Sequence, residues 1–296
     1  MSVRKNIHST LKKGLSNFNF TIRRKLNGKT FKIPILGNVG ISNLTISEQW
    51  MVELLETLLK IEANKFVDIG VNVGQTLIKL RSVDSTIEYL GFEPNPTCIF
   101  YVNKLIKLNS IQNTSPYPVG ISSKTGLGEL NFYYESETDG SASIIENFNK
   151  HKVNRKEYIP LFAIEHLKNK INFDGMSILK IDVEGAELEV IRSFRDQIFK
   201  NNPFILMEVL PVYDETEYPE RLDRQNKLQE LLTDLEYTMF RIIKDKKRLL
   251  GLQRLQSLEI HSDINNCEYL FVSKTKCGKL NSTQLVLKKQ EISQDY

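Results

Sequence analysis

The chain predicts an α/β fold built on a mostly parallel sheet with helices on both faces, and three observations carry that prediction. From residue 65 onward, apolar strand-like runs alternate with helical patterns. The run Phe66-Val-Asp-Ile-Gly-Val-Asn-Val-Gly-Gln-Thr76 reads as a strand ending in Asp68, a loop with Gly70 and Gly74 four residues apart, and a helix start. A second strand closes on Gly91-Phe-Glu93-Pro94, so two strands each deliver an acid near one sheet edge.

Taken in order, residues 29–36 form a short edge strand, because Pro34 cannot donate to a central ladder. Thr45 or Ser47 then caps a helix that puts Trp50, Leu54, Leu55, Leu58 and Leu59 on one face. Strands follow near 65–70, 87–93 and 116–121, with helices near 74–82 and 95–108 between them. An extra strand falls at 129–134, Asp139-Gly140 marks a turn, and the polar stretch Asn147 to Lys156 reads as a mobile loop. Strands at 177–183 and 204–210 flank a helix from Gly185 to Phe194. A helix near 220–235 leads into strands at 237–243 and 268–273, which lack a clear crossover helix and so predict an antiparallel hairpin at one edge. The last fifteen or so residues are polar and read as a loose tail.

Composition bounds the function classes. Of 296 residues, 41% are hydrophobic and 26% charged, enough to bury a sizeable core. No apolar run approaches the roughly 20 residues of a membrane-spanning helix, and the N-terminus lacks the apolar segment of a secretory signal. Cys98, Cys267 and Cys277 are scattered without metal-ligand spacing, with Cys98 in a buried helix, so a reduced, cytoplasmic protein is the plain reading. Residues 1–47 carry nine basic side chains (Arg4, Lys5, Lys12, Lys13, Arg23, Arg24, Lys25, Lys29 and Lys32) and no acid, while the remainder is net acidic. That arm reads first as a solvated leader. Its alternatives are contact with phosphates, an anionic glycan or a membrane surface, or a transit peptide.

The glycine loop points to a particular cofactor. A pyrophosphate-binding turn reads Gly-x-Gly-x-x-Gly, whereas this one reads Asp68-x-Gly70-x-Asn72-x-Gly74. Asp68 repels a pyrophosphate but suits an ammonium group. S-adenosylmethionine has that group, a sulfonium, a ribose and no phosphate. A second constellation is Ser177-Ile-Leu-Lys-Ile-Asp-Val-Glu-Gly-Ala-Glu187. A central strand is normally apolar on both faces, yet Lys180, Asp182 and Glu184 alternate with Leu179, Ile181 and Val183. Charges there are costly unless paired or used. Lys180 lies one layer deeper and neutralises Asp182; a structural ion pair is the bland alternative. Glu208 interrupts a third apolar strand, so Asp68, Asp182 and Glu208 form an acidic cluster around a cationic cofactor, or around magnesium. No histidine accompanies them at ligand spacing, which argues against zinc. Of His8, His151, His166 and His261, only His151 lies in a candidate substrate loop.

These three motifs together resemble the FkbM-type methyltransferases over roughly residues 60–275. Val119-Gly120-Ile121 and Gly140-Ser141-Ala142-Ser143 add to the resemblance. It implies a Rossmann-like seven-stranded methyltransferase sheet, mostly parallel with an antiparallel edge hairpin, plus an N-terminal extension. It also implies transfer of a methyl group from S-adenosylmethionine to oxygen, often a sugar hydroxyl. On this chain, Asp68, Gly70, Asn72 and Gly74 would cradle the methionine end, Glu93 the ribose, and Gly120 and Ile121 the adenine. Asp182 and Glu184 would face the methyl group and acceptor, with Lys180 holding Asp182, and with no metal in the site. The expected organisation is a basic arm with flanking strand and helix over 1–60, a methyltransferase domain over 61–275, and a polar tail over 276–296. The expected partner is a small-molecule or glycan acceptor. A nicotinamide-dependent reductase and a binding module without turnover are the competing classes. A nucleic-acid methyltransferase is disfavoured, because no Asn/Asp-Pro-Pro-Tyr/Phe sequence follows the fourth strand and the arm lacks interleaved aromatics beyond Phe18 and Phe20.

Overall fold

The computed structural model describes residues 18–45, 48–146, 148, 151–245, 248–283 and 285–287. An antiparallel ribbon of β1 (Asn19–Leu26) and β2 (Lys29–Leu36) comes first, with Pro34 opposite Thr21 in an isolated pair where a missing donor costs little. A short 3-10 turn (Ile41–Thr45) leads to α1 (Gln49–Ile61). Glu48 occupies the cap position of α1 without a side-chain cap bond, so Thr45 does not cap it, and Ser47 lies outside the described residues.

The main sheet runs through β3 (Lys65–Ile69), β4 (Glu88–Phe92), β5 (Thr114–Tyr117), β9 (Met176–Ile181), β10 (Phe204–Glu208), β11 (Tyr237–Lys244), β12 (Leu249–Leu255) and β13 (Glu268–Ser273), in the order β12-β11-β13-β10-β9-β3-β4-β5. The five strands from β5 to β10 are parallel. The chain builds outward from β3 to β5, then returns to lay β9 and β10 on the other side. The reversal falls between β3 and β9, which is where open α/β sheets bind ligands. The sheet has eight strands rather than the expected seven. The segments at 237–244 and 268–273 do pair antiparallel, but β12 pairs with the free side of β11 and becomes the edge. Leu285–Leu287 lies along β12 through a Leu252–Val286 bridge, so that part of the expected tail is docked.

Alternation along the strands sorts side chains to two cores. Phe66, Tyr89, Ile178 and Leu206 face the ribbon, α1, α2 (Gln75–Val83) and α3 (Pro96–Asn109), whereas Val67, Leu179, Ile205 and Met207 face α5 (Glu187–Asn201) and α6 (Pro219–Asp234). The ribbon contributes Phe31, Ile33 and Ile35 to the first core, so residues 18–60 share one apolar interior with the sheet. Asn95 caps α3, its Oδ1 accepting from the amides of Thr97 (2.9 Å) and Cys98 (3.4 Å), with Pro96 at the first helical position.

A second, three-stranded sheet of β6 (Gly120–Ile121), β7 (Gly126–Phe132) and β8 (Arg155–Phe162) stands over the switch point. The expected strand at 116–121 is therefore split. Pro118 fixes its backbone and offers no donor, and the chain leaves the main sheet there to start β6. Of the expected loop at 147–156, residues 147, 149 and 150 lie outside the described residues, and its end from Arg155 onward belongs to β8. The short α4 (Ile164–Leu167), a 3-10 turn at Ile264–Asn266 and α7 (Lys274–Asn281) complete the described elements.

Candidate active site

Two loops meet at the switch point. Gly70 follows β3 in the left-handed region (φ 87°), and a Cβ built there would stand 1.9 Å from the carbonyl oxygen of Asp182, which follows β9. Only glycine allows that approach. The amide of Asp182 in turn donates to the Ile69 carbonyl at 2.9 Å, locking the two loops together. Asn72 is also left-handed (φ 48°), and its amide donates to Glu93 Oε2 at 2.7 Å, while Glu93 Oε1 accepts from the Asn95 amide at 2.9 Å. Gly74 (φ 75°) starts α2 and packs towards Val102 and Leu105 of α3.

Around this junction lie two adjoining cavities. The first, with about 750 Å³ of open space, is lined by Gly70, Asn72, Glu93, Gly120, Ile121, Asp182 and Glu184 among others, and is closed above by Leu130 and the 139–144 segment. The second, with about 1210 Å³, lies towards α1 and α2 and is lined by Glu48, Trp50, Lys79, Lys180, Glu208 and Glu268 among others. Gly70, Asn72, Gly140, Asp182 and Glu184 border both.

Two predicted residues sit elsewhere. Gly74 lines neither cavity, and its role in the turn is to start α2. Asp68 is fully buried and also lines neither. Its Oδ2 accepts from the Tyr89 hydroxyl at 2.6 Å, and its Oδ1 lies 3.5 Å from Lys180 Nζ. Lys180 is opposite Asp68 in the β3–β9 register and donates to Asp182 Oδ2 at 2.9 Å. One ammonium thus bridges two carboxylates, and the sequence-predicted cluster of Asp68, Asp182 and Glu208 around one ligand is divided by it. Glu184 is not on the strand: β9 ends at Ile181, and a turn sets Glu184 at the cavity border, with its carbonyl accepting from the Ser143 hydroxyl.

Electrostatics separates these acids. Burial pushes Asp182 up, but Lys180, backed by Lys79 and a hydrogen bond from Glu208, holds it below the usual range; its side chain keeps 44% exposure where it meets the cavities. Burial pushes Glu93 up to about 7 against its two amide bonds. Burial and the nearby Asp182 push Glu184 to about 7, and burial with Asp182 and Glu268 pushes Glu208 to about 9. Burial drives Asp68 upward against the pull of Lys180 and the Tyr89 hydroxyl.

Sequence reasoning missed Tyr89, Glu48, Lys79, Trp50 and Glu268 at this centre. Lys79 is buried and paired with Glu48, and Glu268 is paired with Lys244, whose ammonium lies 4.5 Å from the Trp50 ring centre. A strand opening on Glu268 was the available signal, since it mirrors Glu208, but the pairing needed the strand order. His151 lines neither cavity; its ring lies 5.9 Å from Tyr134. Among the described residues no group of three or more His, Cys, Asp or Glu side chains is arranged to hold a metal ion, and no helix is long and apolar enough to cross a membrane.

Residues 68–239, more than half the chain, match the Methyltransferase FkbM domain family. The chain belongs to that family. Methyltransferase 1 of Beauveria bassiana (strain ARSEF 2860) is 23% identical over 145 residues, covering 44% of this chain and 58% of that protein. The chain thus matches less than two thirds of that relative's length. Among solved structures, methyltransferase FkbM from Methylobacillus flagellatus KT aligns with a TM-score of 0.43 at 15% identity, over 71% of this chain and 43% of that one. Aeropyrum pernix fibrillarin with natively bound S-adenosyl-L-methionine aligns with a TM-score of 0.41 at 14% identity, over 87% and 83%.

Proposed function

We propose that this chain is an S-adenosylmethionine-dependent methyltransferase that acts on oxygen, at a hydroxyl of a sugar, sugar nucleotide or polysaccharide. The observation that carries this reading is the place of Asp182, on the border between the two cavities and fixed by Lys180. The first cavity suits the cofactor. Gly70 leaves backbone free to approach it, Glu93 is held by two amides with lone pairs to spare for ribose hydroxyls, and Gly120 and Ile121 offer a flat apolar edge for adenine. When bound, the cofactor supplies an electrophilic methyl group on sulfur.

The second cavity suits a hydroxyl-rich acceptor, since its wall mixes carboxylates and ammonium groups with the indole of Trp50. Asp182 takes the proton of the acceptor hydroxyl as the oxygen–carbon bond forms, and Lys180 keeps that carboxylate anionic and in place. A weak base is sufficient, because an alcohol oxygen becomes strongly acidic as it gains carbon. Glu184 contacts the acceptor from the border of the cavities. Asp68 fits as the buried counter-ion of Lys180, so its effect on the reaction passes through that ammonium.

The test pairs acceptor screening with one variant. Sugars, sugar nucleotides and polysaccharide fragments incubated with enzyme and cofactor are read by mass spectrometry for the gain of one methyl group. With the acceptor so found, Asp182→Asn lowers kcat by roughly 100-fold or more, the range of a lost general base, while cofactor affinity by calorimetry stays within about threefold. An Asp182→Asn enzyme with undiminished kcat removes that side chain from the chemistry.

A further inference from the structure

Strand register sets a second carboxyl beside Asp182. In the β9–β10 pairing, Leu206 is opposite Lys180 and Met207 opposite Ile181, so Glu208 falls level with Asp182 and on the same face. In the β10–β13 pairing, Glu208 is directly opposite Glu268. Asp182, Glu208 and Glu268 therefore stand abreast on the carboxyl side of the junction, and all three line the second cavity. Resting on the O-methyltransferase reading, we propose that Glu208 is a positioning residue: its protonated carboxyl donates to Asp182, and the two groups hold one proton between them at the acceptor end of the site.

The surroundings favour one shared proton over two free charges. Like charges at neighbouring positions of adjacent strands cannot both ionise cheaply in a partly dry site. The groups facing Glu208 are Asp182, Lys180 and Glu184 from β9 and its loop, Glu268 from β13, and the Cys267 thiol just before β13, which burial and Glu208 push up and so keep neutral. Lys180 is already committed to Asp182 and Asp68, and Lys244 of β11 to Glu268. Lys79 on α2 is committed to Glu48. Each of these cations is therefore engaged elsewhere. The register and the shared cavity wall set the two carboxyls side by side, and burial with the neighbouring acids raises Glu208 to about 9, so at neutral pH Glu208 is the partner that carries the proton. During turnover the acceptor O–H breaks and its proton joins the Asp182 carboxylate, while the methyl–sulfur bond breaks to leave a thioether and the methyl–oxygen bond forms. Glu208 keeps its own proton throughout, and its donated hydrogen bond orients the Asp182 oxygen that receives the new one.

Protein labelled with carbon-13 at the glutamate side-chain carboxyl, titrated by NMR without any acceptor, tests this directly. One resonance with a midpoint near pH 9 is expected, lost in Glu208→Gln. In Asp182→Asn its midpoint falls by about one unit or more, because the neighbouring negative charge is gone. If that resonance survives in Glu208→Gln, or its midpoint does not move in Asp182→Asn, the shared proton is overturned. Should Glu208→Gln not fold, Asp182→Asn and Glu268→Gln still read the coupling, with a fall expected in both. On the acceptor identified by screening, Glu208→Gln keeps a donor to Asp182 and should lose the alkaline fall in kcat/KM while cofactor affinity is unchanged. An unaltered alkaline limb also overturns the proposal. Because the titration needs no acceptor, failure to find one bears on the O-methyltransferase reading and leaves the proton assignment standing on its own data.

Discussion

Gly70 shows how one residue can decide two loops at once. The close carbonyl of Asp182 and the left-handed backbone leave no room for a side chain. Gly70→Ala carries a strain of about 1–3 kcal/mol, and it must also move the Asp182 loop. The expected outcome is a lower melting temperature and cofactor affinity weaker by roughly tenfold or more, about 1.4 kcal/mol, both measurable by calorimetry. Wild-type affinity in that variant would show that the junction yields without harm. At this scale the sequence was partly legible. Gly70, Asn72, Glu93, Gly120, Ile121, Asp182 and Glu184, all singled out from the sequence, line the first cavity. Asp68 does not, because a strand residue two places before the turn points into the sheet layer, where Tyr89 and Lys180 engage it. The acid was visible in the sequence; the side chains that occupy it come from two other strands.

Elements with strong periodicity were legible to within a few residues, including β3, β4, β10 and α2, α3 and α6. Those set by long-range pairing were not. β1 and β8 carry mixed polar patterns, and each exists because a partner strand completes its ladder. The ribbon is nonetheless integral to the fold. Ile33 is fully buried, and the Pro34 carbonyl accepts from the Tyr101 hydroxyl at 2.9 Å across the α3 interface. Ile33→Ala should therefore cost about 2–5 kcal/mol, as for other large-to-small changes in a core, read as a lower denaturant midpoint. A change below about 0.5 kcal/mol, typical of surface sites, would mean the ribbon is only loosely attached.

Across the whole molecule, the acids near the site give folding a pH dependence of definite sign. Glu93 and Glu184 rise to about 7, Glu187 to about 8 and Glu208 to about 9, from an ordinary 4.5. Between those limits the folded chain holds protons that the unfolded chain has released, so stability falls as pH rises through the window. His261 works in the opposite sense, but only below about pH 6.5, where burial depresses it. The ligand-free protein should melt at a higher temperature at pH 6.5 than at pH 9, by scanning calorimetry. A melting temperature that climbs over that interval would contradict the burial of these carboxyls.

The sequence by itself determined the fold class, the glycine loop at Gly70–Gly74 and the charged segment at Lys180–Asp182, because these depend on local periodicity and on residue types that suit few local structures. Only the tertiary structure decided who faces whom. The order of strands put Lys180 between Asp68 and Asp182, set Glu208 level with Asp182 and opposite Glu268, and added an eighth strand at the edge. The physical reason is that an ion pair or a shared proton is a relation between neighbouring strands, and adjacency in a crossed-over sheet is fixed by packing rather than by order along the chain.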